Sequence, residues 1–103
     1  MYRFDYDERL GIAVPHFGKD WDQYDFDMQE QILAEWELIR GEIPDLVKQL
    51  EEKINQKQAC LYNEDSFEKS CQLNTEIAEL ASTINDLWLW FRTNGELTEK
   101  GHH

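Results

Sequence analysis

Helical periodicity dominates the second half of the sequence. Apolar residues step by four and three along one stripe: Leu73, Ile77, Leu80, Ile84, Leu87 and Phe91. This spacing is typical of one buried helix face, and we predict a helix over 66–93. A second row, mostly of smaller side chains, lies beside the first: Phe67, Cys71, Ala78, Ala81 and Trp88. Asp65, followed three residues later by Glu68, matches a capping box and marks the start of this helix.

Two shorter helices precede it. Ile32, Trp36 and Ile39 recur at helical spacing and predict a helix over 26–40, with Asp25 as N-cap. Gly41 is expected to end this helix in the left-handed conformation. The next helix is predicted over 44–62. Because only a short break separates it from the last helix, the two must run antiparallel.

Residues 1–24 show no helical period. Tyr2, Phe4 and Tyr6 alternate with charged residues, as in a short edge strand, but Gly11 and Pro15 interrupt the pattern. We therefore predict an irregular, aromatic-rich N-terminal arm. The expected fold class is all-α: a long antiparallel helical hairpin plus a shorter N-terminal helix, resembling a three-helix bundle. A single domain covers 1–100, and 101–103 is interpreted as a tag remnant.

The end of the third helix is the candidate interface. At 1.5 Å per residue this helix is about 42 Å long against about 28 Å for the second, so its end should project unless the first helix or the N-terminal arm lies over it. The segment 87–91 is apolar around more than one turn, and such a helix must be covered on all sides. The cover is the N-terminal arm, a second copy of the chain or a different protein. The candidate interface residues are Trp88, Leu89, Trp90 and Phe91, with Tyr2, Phe4 and Tyr6 of the arm.

Charge narrows the classes of partner. Ten basic and twenty-two acidic residues give a net charge of −12. Such a chain repels nucleic acid and anionic membranes, so we expect no direct binding to either. No apolar run approaches the roughly 20 residues that cross a bilayer, and no secretory signal is present. We expect a cytoplasmic protein, in which Cys60 and Cys71 are reduced and serve as small core residues.

Candidate chemistry is sparse. The sequence has no nucleophile elbow, no HExxH and no glycine-rich phosphate loop, and its two cysteines are too few for a structural zinc site. An acidic cluster lacks the ligand spacing of an EF-hand and is interpreted as a solvated surface; it comprises Asp20, Asp22, Asp25, Asp27 and Glu30. We predict no enzymatic activity, no catalytic residue, no metal and no cofactor.

These observations favour a non-enzymatic interaction or regulatory protein. Its docking surface would be the aromatic end of the third helix, and its partner an unknown protein or a second copy of the chain. One alternative is an acidic mimic of nucleic acid that inhibits a basic protein, since residues 1–39 hold ten acidic and three basic residues. Another alternative is a small enzyme or metal-binding protein.

Overall fold

The computed structural model describes residues 2–92, and the chain is mostly helical with a small N-terminal sheet. The elements are β1 (Tyr2–Asp7), β2 (Ile12–Phe17), a 3-10 turn (Trp21–Gln23), α1 (Phe26–Arg40), α2 (Ile43–Tyr62) and α3 (Phe67–Phe91). Thr93, the predicted last residue of the third helix, and the predicted tag remnant 101–103 lie outside the described residues.

The N-terminal segment corrects the predicted fold class. It forms an antiparallel β-hairpin whose register runs from Tyr2 opposite Phe17 to Asp7 opposite Ile12, so the fold is mixed and the all-α prediction is wrong. Gly11 is a turn residue with φ of 80°, in the left-handed region that glycine adopts readily. Its N–H donates to the Asp7 carbonyl at 2.8 Å. The alternating aromatic pattern therefore indicated a real strand, and Gly11 lets the chain turn back.

Side-chain caps mark the starts of α1 and α3. The prediction of Asp25 as the N-cap of α1 is confirmed, since its carboxylate accepts a hydrogen bond from the Met28 N–H at 2.8 Å. The predicted capping box of Asp65 and Glu68 at the start of α3 is wrong. The N-cap there is Ser66, whose hydroxyl accepts a hydrogen bond from the Lys69 N–H at 3.4 Å. Gly41 follows α1 with φ of −65°, so it does not supply the left-handed ending that we predicted.

The buried core lies at one end of the molecule. We call this end the head; it comprises residues 2–47 and 83–92, where α1 and the β-hairpin cover the start of α2 and the end of α3. Trp36 is the largest fully buried side chain. The buried apolar residues are Leu10, Ile12, Tyr24, Ile32, Trp36, Ile43, Val47 and Leu87.

The rest of the helical hairpin projects from the head. We call it the stalk; it comprises residues 48–82, none of which is buried. The radius of gyration is 17.6 Å, against about 13 Å for a compact domain of this length, and the longest dimension is 59 Å. Lys57 on α2 pairs with Glu76 on α3, with Nζ to Oε1 at 2.8 Å. The apolar seam between the two helices stays half-exposed because no third helix among residues 2–92 covers it.

Candidate functional site

The predicted interface residues are divided between the core and the surface. Five of the seven are partly buried against the core of the same chain: Tyr2, Phe4, Trp88, Trp90 and Phe91. The other two are exposed, Tyr6 by 67% and Leu89 by 40%. The structure therefore joins most of the predicted set to the head.

Trp90 illustrates how the head covers the end of α3. Its ring meets that of Trp36 edge-on, with centroids 5.6 Å apart. Trp36 lies on α1, so the element that covers Trp90 is the first helix. The three covers predicted for Trp90 are the N-terminal arm, a second copy and a different protein. The sequence leaves open whether the first helix lies over this end, because periodicity does not show how one helix crosses another.

The last turn of α3 is also tied to the end of α1. The Arg40 guanidinium lies over the Phe91 ring, 4.8 Å from its centroid, and donates to the Phe91 carbonyl at 3.1 Å. A cation near a helix C-terminus satisfies carbonyls that lack intrahelical partners. The ring of Trp88 stacks edge-on against Phe91 at 5.2 Å.

The aromatic residues of β1 attach the sheet to α1. The Tyr2 hydroxyl donates to Glu35 Oε2 at 2.7 Å, and its ring contacts Phe4 and Tyr24 edge-on. This hydrogen bond, together with partial burial and the nearby negative charge, raises the pKa of Tyr2 above its usual value of 10.0. Tyr2 therefore links the sheet to α1, and we call its hydrogen bond to Glu35 the latch.

We expect this latch to make stability depend on pH in the alkaline range. Because the pKa of Tyr2 is raised on folding, its contribution is fully present below pH 10 and is lost as pH rises through the folded pKa. Between pH 9 and pH 12 the wild type should therefore lose more thermal stability than Tyr2→Phe, which cannot ionise. The measurement is a melting curve at each pH, with Tyr6→Phe on the same strand as control. Equal pH dependence of Tyr2→Phe and wild type would contradict the latch.

The most exposed aromatic residues of the described chain lie at the far end of the stalk. Tyr62 ends α2 and is 90% exposed, and Phe67 begins α3 and is 81% exposed. We call this pair the stalk end. Sequence reasoning missed it, because Phe67 follows the spacing of a core row. The available signal was that two aromatic residues flank the polar break at 63–66.

A tight turn holds the two stalk-end helices together. The Asn63 side-chain amide donates to the Ala59 carbonyl at 3.2 Å, and the Ser66 N–H donates to Glu64 Oε2 at 3.1 Å. Cys60 and Cys71, near this turn, are free and exposed, so our prediction that they are core residues is wrong. Their helical spacing is that of core residues, but no third layer among the described elements buries them.

A concave surface lies where the stalk meets the head. It is an open groove of about 580 Å³ that is lined by Arg9, by the pair of Lys57 and Glu76, and by Glu79, Leu80, Ser82 and Thr83. Arg9 pairs with Asp86 at 2.9 Å, and Lys57 pairs with Glu76. Hydrogen bonds from Lys57 and Gln72 hold the pKa of Glu76 below its ordinary value. Both cations are thus matched by carboxylates, and the groove has no excess positive charge for an anion.

The acidic cluster stays on the surface of the head. Its members Asp20, Asp22, Asp25, Asp27 and Glu30 are all exposed. Among residues 2–92, no three His, Cys, Asp or Glu side chains are arranged to hold a metal ion. Within the same range no helix has the length and apolarity needed to cross a bilayer.

Comparisons with known proteins give no further assignment. No protein-family model, no curated protein and no solved structure matches this chain.

Proposed function

We propose that this chain is a non-enzymatic protein-interaction module that docks through its stalk. The observation that carries the proposal is the stalk end, where Tyr62 and Phe67 are 90% and 81% exposed on neighbouring helix ends. Exposed aromatic residues held on a rigid scaffold are typical of binding hot spots, because they bury a large area and lose little side-chain entropy.

The energetics of the stalk support this function. A segment of 35 residues without a buried side chain adds little to the hydrophobic stabilisation of the fold, which comes from the head. Ordering each backbone residue nevertheless costs about 1–2 kcal/mol. Burial against a partner would supply the missing stabilisation, since the half-exposed seam and the stalk end would then be removed from water.

The distribution of charge also favours the stalk as the docking element. Residues 48–82 hold seven acidic and four basic residues, whereas residues 2–47 hold twelve acidic and four basic residues. Apolar docking is therefore opposed least at the stalk. The acidic-mimic alternative would instead use the head, where the exposed cluster from Asp20 to Glu30 contains no basic residue.

A capture experiment with matched variants tests the proposal. The stalk-end variant Tyr62→Ser/Phe67→Ser should lose a partner that wild type retains from a lysate of source cells, with affinity lowered by at least about 30-fold, as for a hot-spot truncation of 2 kcal/mol. The control Phe26→Ser/Leu38→Ser removes apolar residues from α1 that are 69% and 78% exposed, and it should bind normally. Circular dichroism verifies that both variants fold.

Salt separates the two functions in the same experiment. Apolar docking at the stalk end should persist between about 50 and 300 mM salt, whereas binding through the acidic head should weaken steeply, because added salt screens surface charges. Partners that are retained by the stalk-end variant and released by moderate salt would overturn the stalk as docking element.

A further inference from the structure

The charges of α3 all lie on one side of the helix. Asp86 pairs with Arg9 of the head, and Glu76 pairs with Lys57 of α2. At about 100° per residue, the remaining charged residues of α3 fall on the same side or toward α2; they are Glu68, Lys69 and Glu79. The opposite side of α3 carries no charge over its whole length, in a chain of which 31% is charged.

This uncharged side has a heptad spacing of its own. We call it the bare face; its residues, separated alternately by four and three, are Phe67, Cys71, Asn74, Ala78, Ala81, Asn85 and Trp88. All are exposed except Trp88, which is half-buried. A second heptad seam beside the one that contacts α2 is typical of a helix that packs against two neighbours. Within the described part of one chain, α2 is the single neighbour of α3 along the stalk.

The head leaves the bare face open as far as Trp88. Thr83, which is buried, and Trp90, which meets Trp36, contact the head from the opposite side of α3. Arg9 of the head reaches α3 at its flank, through Ser82 and Asp86. A straight helix can therefore lie along the bare face for its full length. Small residues in the middle of the face allow close approach of that helix.

We propose that a second copy of this chain occupies the bare face, antiparallel to the first, and forms a four-helix bundle with a two-fold axis near Ala78. This inference rests on the proposed function, since it names the partner of the stalk. In the antiparallel pair, Phe67 of one copy lies opposite Trp88 of the other. Asn74 lies opposite Ala81. The large side chains at the ends of the two bare faces therefore meet each other, and so do the smaller side chains in the middle.

The distribution of charge favours a second copy as the partner and an antiparallel orientation of the two copies. Two copies that meet through their bare faces bring no like charges into the centre of the interface. A parallel pair would place two heads side by side, each with a net charge of −8 over residues 2–47. The antiparallel pair puts the heads at opposite ends of a 59 Å molecule, well beyond the screening length of about 8 Å at physiological salt.

The size of the face agrees with a reversible dimer. From Phe67 to Trp88 the bare face rises about 32 Å along α3. In a four-helix bundle the second copy also lies against α2, so the contact is two helices, or about 20 Å, across. Covering this area in both copies removes on the order of 1,200 Å² from water, the lower bound for a stable specific interface. We therefore expect the dimer to form at micromolar concentration and to dissociate on dilution.

Sedimentation equilibrium on matched variants tests the dimer. Wild type should approach twice the chain mass of 12.3 kDa at about 100 μM. Ala78→Glu places two carboxylates near the two-fold axis and should raise the dissociation constant at least 100-fold. Thr75→Glu adds the same charge one turn away, outside the row of bare-face residues, and it should change the dissociation constant by less than 3-fold. Both positions are exposed, so both variants should fold.

Cross-linking tests the direction of packing. In a chain with Cys60→Ser and Cys71→Ser, Ala78→Cys should form an intermolecular disulfide on mild oxidation, because the two sulfurs meet near the axis. Two Cys71 residues of an antiparallel pair are about 20 Å apart and should not cross-link. Efficient cross-linking through Cys71, with none from Ala78→Cys, would overturn the antiparallel arrangement.

A monomeric wild type at about 100 μM, or equal dimerisation of Ala78→Glu and Thr75→Glu, would overturn self-pairing. Either result leaves the docking function to be decided by the stalk-end capture experiment. Loss of partner capture in Tyr62→Ser/Phe67→Ser alongside a monomeric wild type would mean that the stalk binds a different protein. A dimeric wild type whose partners are all retained by the stalk-end variant would confine the stalk to self-association.

Discussion

Replacing Trp36 with alanine is expected to lower the free energy of unfolding by about 3–5 kcal/mol, the usual cost of removing a fully buried large aromatic residue. Trp36 is 0% exposed and meets Trp90 edge-on, so its loss leaves a cavity and removes the aromatic contact between α1 and α3. A domain of this size has a total stability of about 5–15 kcal/mol. The variant should therefore melt more than about 10 °C below wild type. Thermal and urea unfolding followed by circular dichroism measure both quantities.

Two variants calibrate that result. Tyr62→Ala removes an aromatic ring that is 90% exposed, and it should change the stability of the isolated chain by less than about 0.5 kcal/mol. Trp36→Phe keeps an aromatic ring at the site and should retain more stability than Trp36→Ala. If Trp36→Ala and Tyr62→Ala unfold at the same temperature, the head is not the stabilising core.

The contact between Trp36 and Trp90 marks how far the sequence could predict the fold. Local spacing shows that each residue lies on a helix, and the Asp25 side chain shows where α1 begins. Neither pattern reports that α1 crosses the end of α3, because that depends on the angle at which the chain leaves α1 near Gly41. The sequence therefore indicates that Trp90 needs a cover, but it does not identify Trp36 of α1 as the residue that contacts it.

The β-hairpin was missed for a different reason. Tyr2, Phe4 and Tyr6 alternate as a strand requires, but a strand needs a partner to satisfy its backbone groups. The partner strand contains Pro15, which lacks a backbone donor, and the turn contains Gly11. In a sequence, glycine and proline usually interrupt a regular strand, and the pattern therefore predicts an irregular arm. Gly11 instead adopts the positive φ of the turn, and Pro15 is tolerated in a two-stranded sheet because each strand has a free edge.

Helical periodicity could not predict that the residues of the stalk end are exposed. Phe67 and Cys71 follow the same heptad spacing as residues of a true core, and nothing local distinguishes a seam that packs within one chain from a seam that packs between two. Only the topology shows that α1 stops short of the stalk. The exposed fractions of Tyr62 and Phe67 then identify the stalk end as a candidate site.

Hydrogen exchange should divide the chain into two populations of amides. In the Ala78→Glu variant, where a second copy is not expected to add protection, amides of the stalk should exchange at least about 100-fold faster than those near Ile32 and Trp36. The reason is that opening the stalk breaks only the half-exposed seam between α2 and α3, whereas exposing the amides around Ile32 requires the buried head to unfold. Each 1.4 kcal/mol of difference between the free energies of the two opening reactions changes the ratio of the exchange rates ten-fold. Mass spectrometry of peptic fragments measures both populations.

The same measurement on wild type connects stability to assembly. Pairing of two copies should slow exchange along the stalk as the protein concentration rises, because burial of the bare face removes the low-energy opening. Exchange near Trp36 should respond far less, since that region opens with the head. Thr75→Glu provides the control and should follow wild type. Stalk amides that exchange as slowly as head amides in the Ala78→Glu variant would show that the hairpin is stable without a partner, and the energetic argument for docking would then fail.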